Sequence, residues 1–213
     1  MAVAKSRRLL LPFIIALVAW FALGLQLYIL ISNVPENGLT IAEAIGRFFI
    51  FFTILTNLLV AIATTFLTAA PSSAGGMFFS KPSTLTAITV YIFIVGLIYN
   101  LVLRGLWAPG GLQKLADELL HVVVPLLFIL YWFLFSTKHS LGWKHSINWL
   151  AYPAFYFIYA LTRGSMEGFY PYPFLNVHEL GYNTVLRNAG VILFAFIIIG
   201  LVFIFIANKI QKN

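Results

Sequence analysis

Long apolar segments separated by short polar connections dominate the hydropathy pattern of this chain. Six of them approach or exceed the length that a helix needs to cross a hydrocarbon core, about 20 residues, with latitude for tilt and functional breaks. They cover residues 9–31, 45–70, 84–104, 119–135, 147–162 and 188–207. The pattern therefore predicts an all-α, polytopic membrane protein of six transmembrane helices, built as a single domain over residues 1–213. The first segment is too long for the core of a signal peptide, so we expect it to be a retained span.

The second segment carries the most informative polar positions. Thr53, Thr56 and Asn57 interrupt an otherwise apolar run, and the spacing i, i+3, i+4 puts them on one face of a helix. Lipid offers no hydrogen-bond partner to hydroxyls or amides, so this face is expected to turn toward the inside of the bundle. We expect one continuous helix through residues 47–59.

Composition and charge agree with a membrane protein. The chain is 62% hydrophobic and 9% charged, with a mean hydropathy of +0.97. It has no cysteine, which excludes disulfides, iron–sulfur clusters, thiolate zinc sites and cysteine nucleophiles. The net charge is +7, but the basic residues are scattered at segment ends, which indicates membrane orientation and no nucleic-acid partner.

The basic residues also predict the orientation. With the amino terminus inside, every acidic residue falls outside, and the inner side holds most of the basic ones. These inner residues are Lys5, Arg7, Arg8, Lys81, Lys138, Lys144, Lys209 and Lys212. Both termini are therefore predicted to be cytoplasmic.

Polar groups from several segments share a depth near the outer side. At 1.5 Å per residue, Thr53 lies about 9 Å deeper than Arg47, and His121 about 6 Å deeper than Asp117. Asn100 lies one turn inside Arg104, and Tyr159 one turn inside Arg163. Because polar groups inside a membrane are costly, this one-sided cluster is a candidate functional site.

Each member of the cluster also has a structural interpretation. Asp117 and Glu118, one turn before His121, are placed to hold its imidazole in one tautomer, but a histidine there can equally cap a neighbouring helix. A threonine in a membrane helix is a nucleophile if a base lies next to it; otherwise it donates to a carbonyl of its own helix or packs against another helix. Asn57 most often joins helices.

The arginines have two interpretations as well. Asn100 and Arg104 are placed to bind a carboxylate or a developing oxyanion, or Arg104 simply anchors the helix end. Arg163, near Tyr159, is a further candidate for substrate binding, or it pairs only with Glu167. The aromatic, proline-rich stretch 168–181 is expected to be an outer loop that acts as a lid or a gate. We expect no metal site and no cofactor, since the histidine and carboxylate spacings do not form a ligand set.

Three patches resemble a known family. Phe52-Thr53-Ile54-Leu55, His121 followed by Pro125, and Tyr172-Pro173-Phe174-Leu175 are similar to the androgen-induced protein family, which includes the androgen-dependent TFPI-regulating protein. Within that family the chain resembles bacterial members, in which the pattern from Phe52 to Asn57 recurs.

The resemblance implies a six-span fold and, by analogy with the animal members, hydrolysis of fatty-acid esters of hydroxy fatty acids. It places the threonine nucleophile on Thr53 and the histidine base on His121. The animal proteins have an aspartate three residues after that threonine, where this chain has Thr56, so Thr56 stays an alternative nucleophile. The bacterial likeness implies a plasma-membrane location.

The leading hypothesis is thus a membrane-embedded lipid-ester hydrolase whose partners are the bilayer and a lipid or fatty-acid ester substrate. One alternative is a transporter or receptor that binds a small amphiphile or anion with the same polar groups. Another is a scaffold without chemistry of its own. The residues specify no oligomeric state.

Overall fold

The computed structural model describes residues 2–106, 108–135 and 141–210, and every regular element in these ranges is helical. Five helices there are long and apolar enough to cross a membrane, which indicates a multi-pass membrane protein. They are Leu9–Glu36, Phe52–Ala69, Pro82–Leu103, Gly111–Phe135 and Val177–Ile210. The predicted all-α class is confirmed for this part of the chain.

The chain divides into two compact units, Met1–Thr137 and Lys138–Asn213. The first contains four of the five long helices. Its elements are α1 (Ala2–Ser32), α2 (Val34–Asn37), α3 (Ile41–Phe49), α4 (Phe52–Ala69), α5 (Ala74–Ser80), α6 (Pro82–Ile98), α7 (Gly111–Glu118) and α8 (Val124–Phe135). A π-helical turn, Tyr99–Leu103, extends α6, and a second one, Leu119–Val123, joins α7 to α8.

The second predicted segment is not one helix, so the expectation of a continuous helix through residues 47–59 was wrong. Helix α3 ends at Phe49, and Phe51 adopts an extended conformation before α4 begins at Phe52. The 9 Å depth inferred between Arg47 and Thr53 assumed an unbroken helix and does not apply. Thr53, Thr56 and Asn57 all lie in α4 and keep their common face, which is buried.

A capping box begins α3. The Thr40 hydroxyl accepts the Glu43 backbone N–H at 3.2 Å, and the Thr40 backbone N–H donates to the Glu43 carboxylate at 2.7 Å. These contacts satisfy groups that a helix start leaves without partners. Hydrogen bonding from Thr40, first from its backbone and then from its side chain, lowers the pKa of Glu43.

The fourth predicted segment begins earlier than expected. The helix runs from Gly111 through the π turn to Phe135, so Asp117 and Glu118 lie within it and not at its outer end. The third segment, predicted at 84–104, agrees with α6 and its π turn. The first, predicted at 9–31, lies within α1.

Polar contacts tie the helices of the first unit together. Gln26 in α1 and Gln113 in α7 exchange amide hydrogen bonds of 3.4 and 2.8 Å. The Trp132 indole donates to the Thr86 hydroxyl at 2.9 Å. Each pair satisfies donors that lipid leaves without a partner, so the pairs favour one register between helices.

The second unit contains α9 (Lys144–Asn148), α10 (Ala151–Glu167), a 3-10 turn (Pro173–Leu175) and α11 (Val177–Ile210). Helix α9 packs closely on α11 at Gly200: a Cβ added there would lie only 3.1 Å from Cβ of Ser146. The last helix begins well before the predicted residue 188 and is kinked at Gly181, whose φ is +71°. The predicted outer loop 168–181 is therefore partly helical.

The fifth predicted segment, 147–162, begins in α9 and continues, after a turn, into the 17-residue α10, which ends at Glu167. Helix α10 is about 26 Å long, shorter than a hydrocarbon core of about 30 Å. Among the basic residues behind the predicted orientation, Lys138 and Lys212 lie outside the described residues. A single domain over residues 1–213 and cytoplasmic termini stay predictions.

Candidate functional site

The first unit brings a threonine and a histidine together. Oγ1 of Thr53, in the first turn of α4, lies 3.3 Å from Nε2 of His121, in the π turn between α7 and α8. Both side chains are largely buried: Thr53 is 8% exposed, and the His121 side chain 13%. A hydroxyl and an imidazole thus lie close enough for a proton to pass between them.

Asp117 holds the other side of the imidazole. Nδ1 of His121 is 2.9 Å from the Asp117 backbone oxygen and 3.2 Å from its carboxylate Oδ1. Both neighbours are acceptors, so Nδ1 carries the proton. The lone pair of Nε2 then faces the Thr53 hydroxyl, which is the orientation that a general base needs.

Tyr99 covers one face of the histidine. The two rings are stacked, with centroids 3.9 Å apart and planes inclined by 16°. The Tyr99 hydroxyl also donates to Oδ2 of Asp117. Each oxygen of this buried carboxylate therefore has a donor, one from Tyr99 and one from His121.

A second layer of charge lies beside this group. Arg104 and Glu118 form a double contact, with two nitrogen-to-oxygen distances of 2.8 Å. The Arg104 guanidinium lies 5.1 Å from the centre of the Tyr99 ring. The Arg104 and Glu118 side chains are 42% and 34% exposed, so this pair lies at the accessible edge of the cluster.

Both π turns of the described chain lie at this cluster. One carries Tyr99, and the other carries His121. A π turn inserts one extra residue into a helix and is frequent at functional sites, because it rotates the following side chains away from the regular helical pattern. The backbone N–H of Arg104 accordingly donates to the backbone oxygen of Tyr99, five residues earlier, at 2.8 Å.

Asn57 fastens α4 to the histidine-bearing helix. Its amide nitrogen donates to the backbone oxygen of Thr53 at 2.8 Å and to the backbone oxygen of Leu120 at 3.1 Å. It is fully buried, and its Oδ1 has no hydrogen-bond partner among the described residues. Thr56 is fully buried on the same helix. Asn57 thus helps to fix the position of Thr53 relative to His121 along the axis of α4.

The expectation that Asn100 is an oxyanion donor is not supported by its contacts. Its amide donates to the Gly96 oxygen of its own helix at 2.8 Å, and the side chain is exposed. Within the described chain Asn100 is therefore not brought to the Thr53–His121 pair. Its neighbour Tyr99 is buried, whereas Asn100 is exposed.

Tyr159 and Arg163 belong to the second unit. The Arg163 guanidinium donates to the Tyr159 hydroxyl at 3.2 Å and, through Nε, to Glu167 at 2.8 Å. The predicted pairing of Arg163 with Glu167 is thus present. Both residues form a local cluster on α10.

No group of three or more histidine or acidic side chains in the described ranges is arranged to hold a metal ion. The chemistry that the first unit offers is that of an alcohol, an imidazole and a carboxylate in series. This is the arrangement of a nucleophile, its base and the group that orients the base.

Comparison of the chain with models of protein families, with curated proteins and with solved structures gives no match. The likeness to the androgen-induced protein family therefore stays a hypothesis based on the motifs quoted above.

Sequence reasoning missed Tyr99. The signal was a lone tyrosine hydroxyl in the outer turn of an apolar segment, next to the more conspicuous Asn100. Because almost every residue around them is apolar, the hydropathy pattern does not show which of these two neighbours faces the bundle.

Proposed function

We propose that the protein is a membrane-embedded lipid-ester hydrolase with Thr53 as nucleophile and His121 as general base. The observation that carries the proposal is the 3.3 Å contact between Thr53 Oγ1 and His121 Nε2, with Nδ1 of the same ring held by Asp117. In the series Thr53, His121 and Asp117, the imidazole is placed to take the proton of the hydroxyl, and the carboxylate orients the imidazole.

In the first half-reaction the Thr53 oxygen attacks the acyl carbonyl, and its proton passes to His121 Nε2. The tetrahedral intermediate then expels the alcohol half of the ester, which takes that proton from Nε2. The products of this half-reaction are an acyl-threonine and a free alcohol. In the second half-reaction His121 Nε2 takes a proton from water, and the water oxygen attacks the acyl carbonyl. The bond between the acyl carbon and the Thr53 oxygen then breaks, Nε2 returns the proton to that oxygen, and the carboxylic acid leaves.

The break before α4 contributes to this chemistry. Thr53 is the second residue of an 18-residue helix, because Phe51 is its N-cap and Phe52 its first residue. The amino end of a helix carries partial positive charge, which stabilises negative charge on an oxygen nearby. An unbroken helix would have placed Thr53 mid-helix, without this field.

Arg104 is the substrate-binding group that the geometry favours for a carboxylate. It lies at the accessible edge of the cluster and already holds one carboxylate, that of Glu118, in a double contact. A substrate carboxylate would replace Glu118 there. The substrate class implied by the family resemblance, a fatty-acid ester with a free carboxylate, fits this group.

The proposed setting is a bacterial plasma membrane with six spans and both termini cytoplasmic. Besides the five long helices, the remaining span of the six is α10, the fifth in chain order, extended toward one side by α9 and its connecting turn. Because the chain has no cysteine, single introduced cysteines report sidedness without background. Gly110→Cys should react with an impermeant maleimide from outside, and Lys209→Cys only after permeabilisation; the reverse pattern contradicts the topology.

A fluorophosphonate probe tests the hydrolase directly, because it forms a stable adduct with an activated hydroxyl. The purified wild type should be labelled, with the adduct located on Thr53 by peptide mass spectrometry. Thr53→Val and His121→Gln should abolish labelling.

The matched control is Thr64→Val. Thr64 lies in the same helix, is also buried and donates to the Val60 backbone oxygen at 2.8 Å, so its replacement perturbs packing but not the Thr53–His121 pair. Labelling of wild type that persists in Thr53→Val, or no labelling at all, refutes the proposal. An adduct on Thr56 would transfer the nucleophile to that residue.

The alternative function is transport or reception of a small amphiphile. It is favoured by one observation, the buried contact between two protonatable groups, Asp117 and His121, which suits proton coupling. Flux into proteoliposomes without product formation would select it. A scaffold without chemistry predicts that Thr53→Val and His121→Gln change only stability or association.

A further inference from the structure

Tyr99 contacts both members of the base system at once. Its ring lies flat against the imidazole of His121, and its hydroxyl donates to Oδ2 of Asp117. Oδ1 of the same carboxylate is the atom that faces His121 Nδ1, at 3.2 Å. One side chain thus constrains the plane of the imidazole and the rotation of the carboxylate.

Tyr99 is itself held firmly. It is 4% exposed, its backbone oxygen accepts the Arg104 N–H, and the Arg104 guanidinium lies over its ring. Arg104 in turn pairs with Glu118, the neighbour of Asp117. The tyrosine is therefore fixed between the end of its own helix and the helix that carries the histidine.

The orientation of His121 depends on such constraints. An imidazole that rotates about its Cβ–Cγ bond exchanges the positions of its ring atoms, and Nε2 then no longer points at Thr53. The stacked ring opposes this rotation from one face. The hydroxyl opposes it through Asp117, because it keeps Oδ1 aimed at Nδ1.

We propose that Tyr99 is a positioning residue that keeps His121 in the Nδ1-protonated tautomer with Nε2 directed at Thr53. Its catalytic consequence rests on the proposed hydrolase function, whereas the tautomer of His121 is a property of the protein alone. Tyr99 touches no reacting atom; it acts through the ring that it stacks on and the carboxylate that it binds.

Tyr99→Phe isolates the hydroxyl, since phenylalanine keeps the stacked ring. The matched control is Tyr91→Phe, which removes another buried tyrosine hydroxyl from α6, about 12 Å away along the helix axis. Nitrogen-15 spectra of histidine-labelled protein in detergent report the tautomer. The His121 signals are identified by their loss in His121→Gln.

In the wild type we expect the Nδ1-protonated form at His121. In Tyr99→Phe we expect a mixture of tautomers. The rate constant of fluorophosphonate inactivation (kinact) should fall about tenfold, because one hydrogen bond to a charged group is lost. The inhibition constant of the probe (KI) should be unchanged. Tyr91→Phe should change neither. A purely structural role of Tyr99 would lower the melting temperature without a change of tautomer.

A double-mutant cycle provides a second line of evidence. If the Tyr99 hydroxyl acts through Asp117, adding Tyr99→Phe to Asp117→Asn should lower kinact little further. Additive losses would overturn this route. Should Tyr99→Phe fail to fold, the tautomer of His121 in Asp117→Asn decides instead, and a wild-type pattern there contradicts the proposal.

The two proposals fail in different ways. If the wild type is never labelled, the hydrolase is refuted, but the nitrogen-15 spectra still test the positioning. If Tyr99→Phe shows the wild-type tautomer and the wild-type kinact, or if Tyr91→Phe has the same effects as Tyr99→Phe, the role of Tyr99 is refuted and the hydrolase stands.

Discussion

Nδ1 of His121 meets two acceptors on Asp117, the backbone oxygen at 2.9 Å and the carboxylate Oδ1 at 3.2 Å. Asp117 lies four residues earlier on the same helical path, so the contact is local in the chain. The chain itself thus places acceptors beside Nδ1. The meeting with Thr53 and the contacts of Tyr99 with both residues require the tertiary structure.

Asp117→Asn is expected to leave the fold intact and to slow the reaction of Thr53 severely. The asparagine keeps the size of the side chain but presents a neutral amide, so it no longer stabilises the imidazolium that forms when Nε2 takes the proton. A loss of about 10²–10⁴ in the rate of fluorophosphonate labelling is expected. The control is Glu36→Gln, which neutralises an exposed acid outside the cluster. Equal rates in wild type and Asp117→Asn would contradict the role of the carboxylate.

Glu118→Gln should improve binding of substrates that carry a carboxylate. The change releases Arg104 from its double contact and makes its guanidinium available. The KM of a hydroxy-fatty-acid ester with a free carboxylate is expected to fall about tenfold, whereas that of the corresponding methyl ester stays constant. Arg104→Gln should raise the KM of the free acid only. Equal changes for both substrates would exclude Arg104 as the carboxylate ligand.

The same pair should add little to stability. Both side chains are more than a third exposed, and such pairs contribute about 0.2–1 kcal/mol. The double mutant Arg104→Gln/Glu118→Gln therefore serves as the reference for the substrate experiment, because its stability should stay close to that of the wild type and a large change in its KM then does not result from unfolding.

Gly96→Ala should disturb the site from the helix that carries Tyr99. A Cβ at Gly96 would lie 3.1 Å from the His121 backbone oxygen and 3.5 Å from Cβ of Pro125, so α6 and the second π turn must separate by a few tenths of an ångström. We expect a lower labelling rate at Thr53. Gly24→Ala is the matched control, because its Cβ would have nothing within 4 Å. A rate unchanged by Gly96→Ala would show that the site tolerates this displacement.

The amino end of α3 should loosen at acid pH. The hydrogen bonds from Thr40 lower the pKa of Glu43, so the capping box contributes stability at pH values above the unfolded pKa of about 4.5. That contribution is lost as the pH falls through the lowered folded value. Hydrogen exchange of helix Ile41–Phe49, corrected for the intrinsic rate, should show less protection at acid pH. In Glu43→Gln this pH dependence should disappear, and its persistence would assign it to another group.

Much of the fold followed from periodicity. The apolar segments predicted the long helices, because a span must satisfy its backbone internally and needs a minimum length of apolar residues. The i, i+3, i+4 spacing placed Thr53, Thr56 and Asn57 on one buried face, and the i, i+4 spacing placed Asp117 beside His121. These relations lie within a single helix, so the residue numbers alone determine them.

Contacts between helices had to come from the tertiary structure. Which of Thr53 and Thr56 meets the imidazole depends on the rotation of α4 about its axis, and the break at Ile50 and Phe51 that sets it is marked by neither glycine nor proline. Each residue of a helix turns by about 100°, so the rotation of α6 about its own axis decides that Tyr99 faces inward and Asn100 outward. The sequence by itself determined the all-α class, the long apolar helices and the pairs of residues that share one helix face. The packing of the helices decided which residues of different helices come into contact.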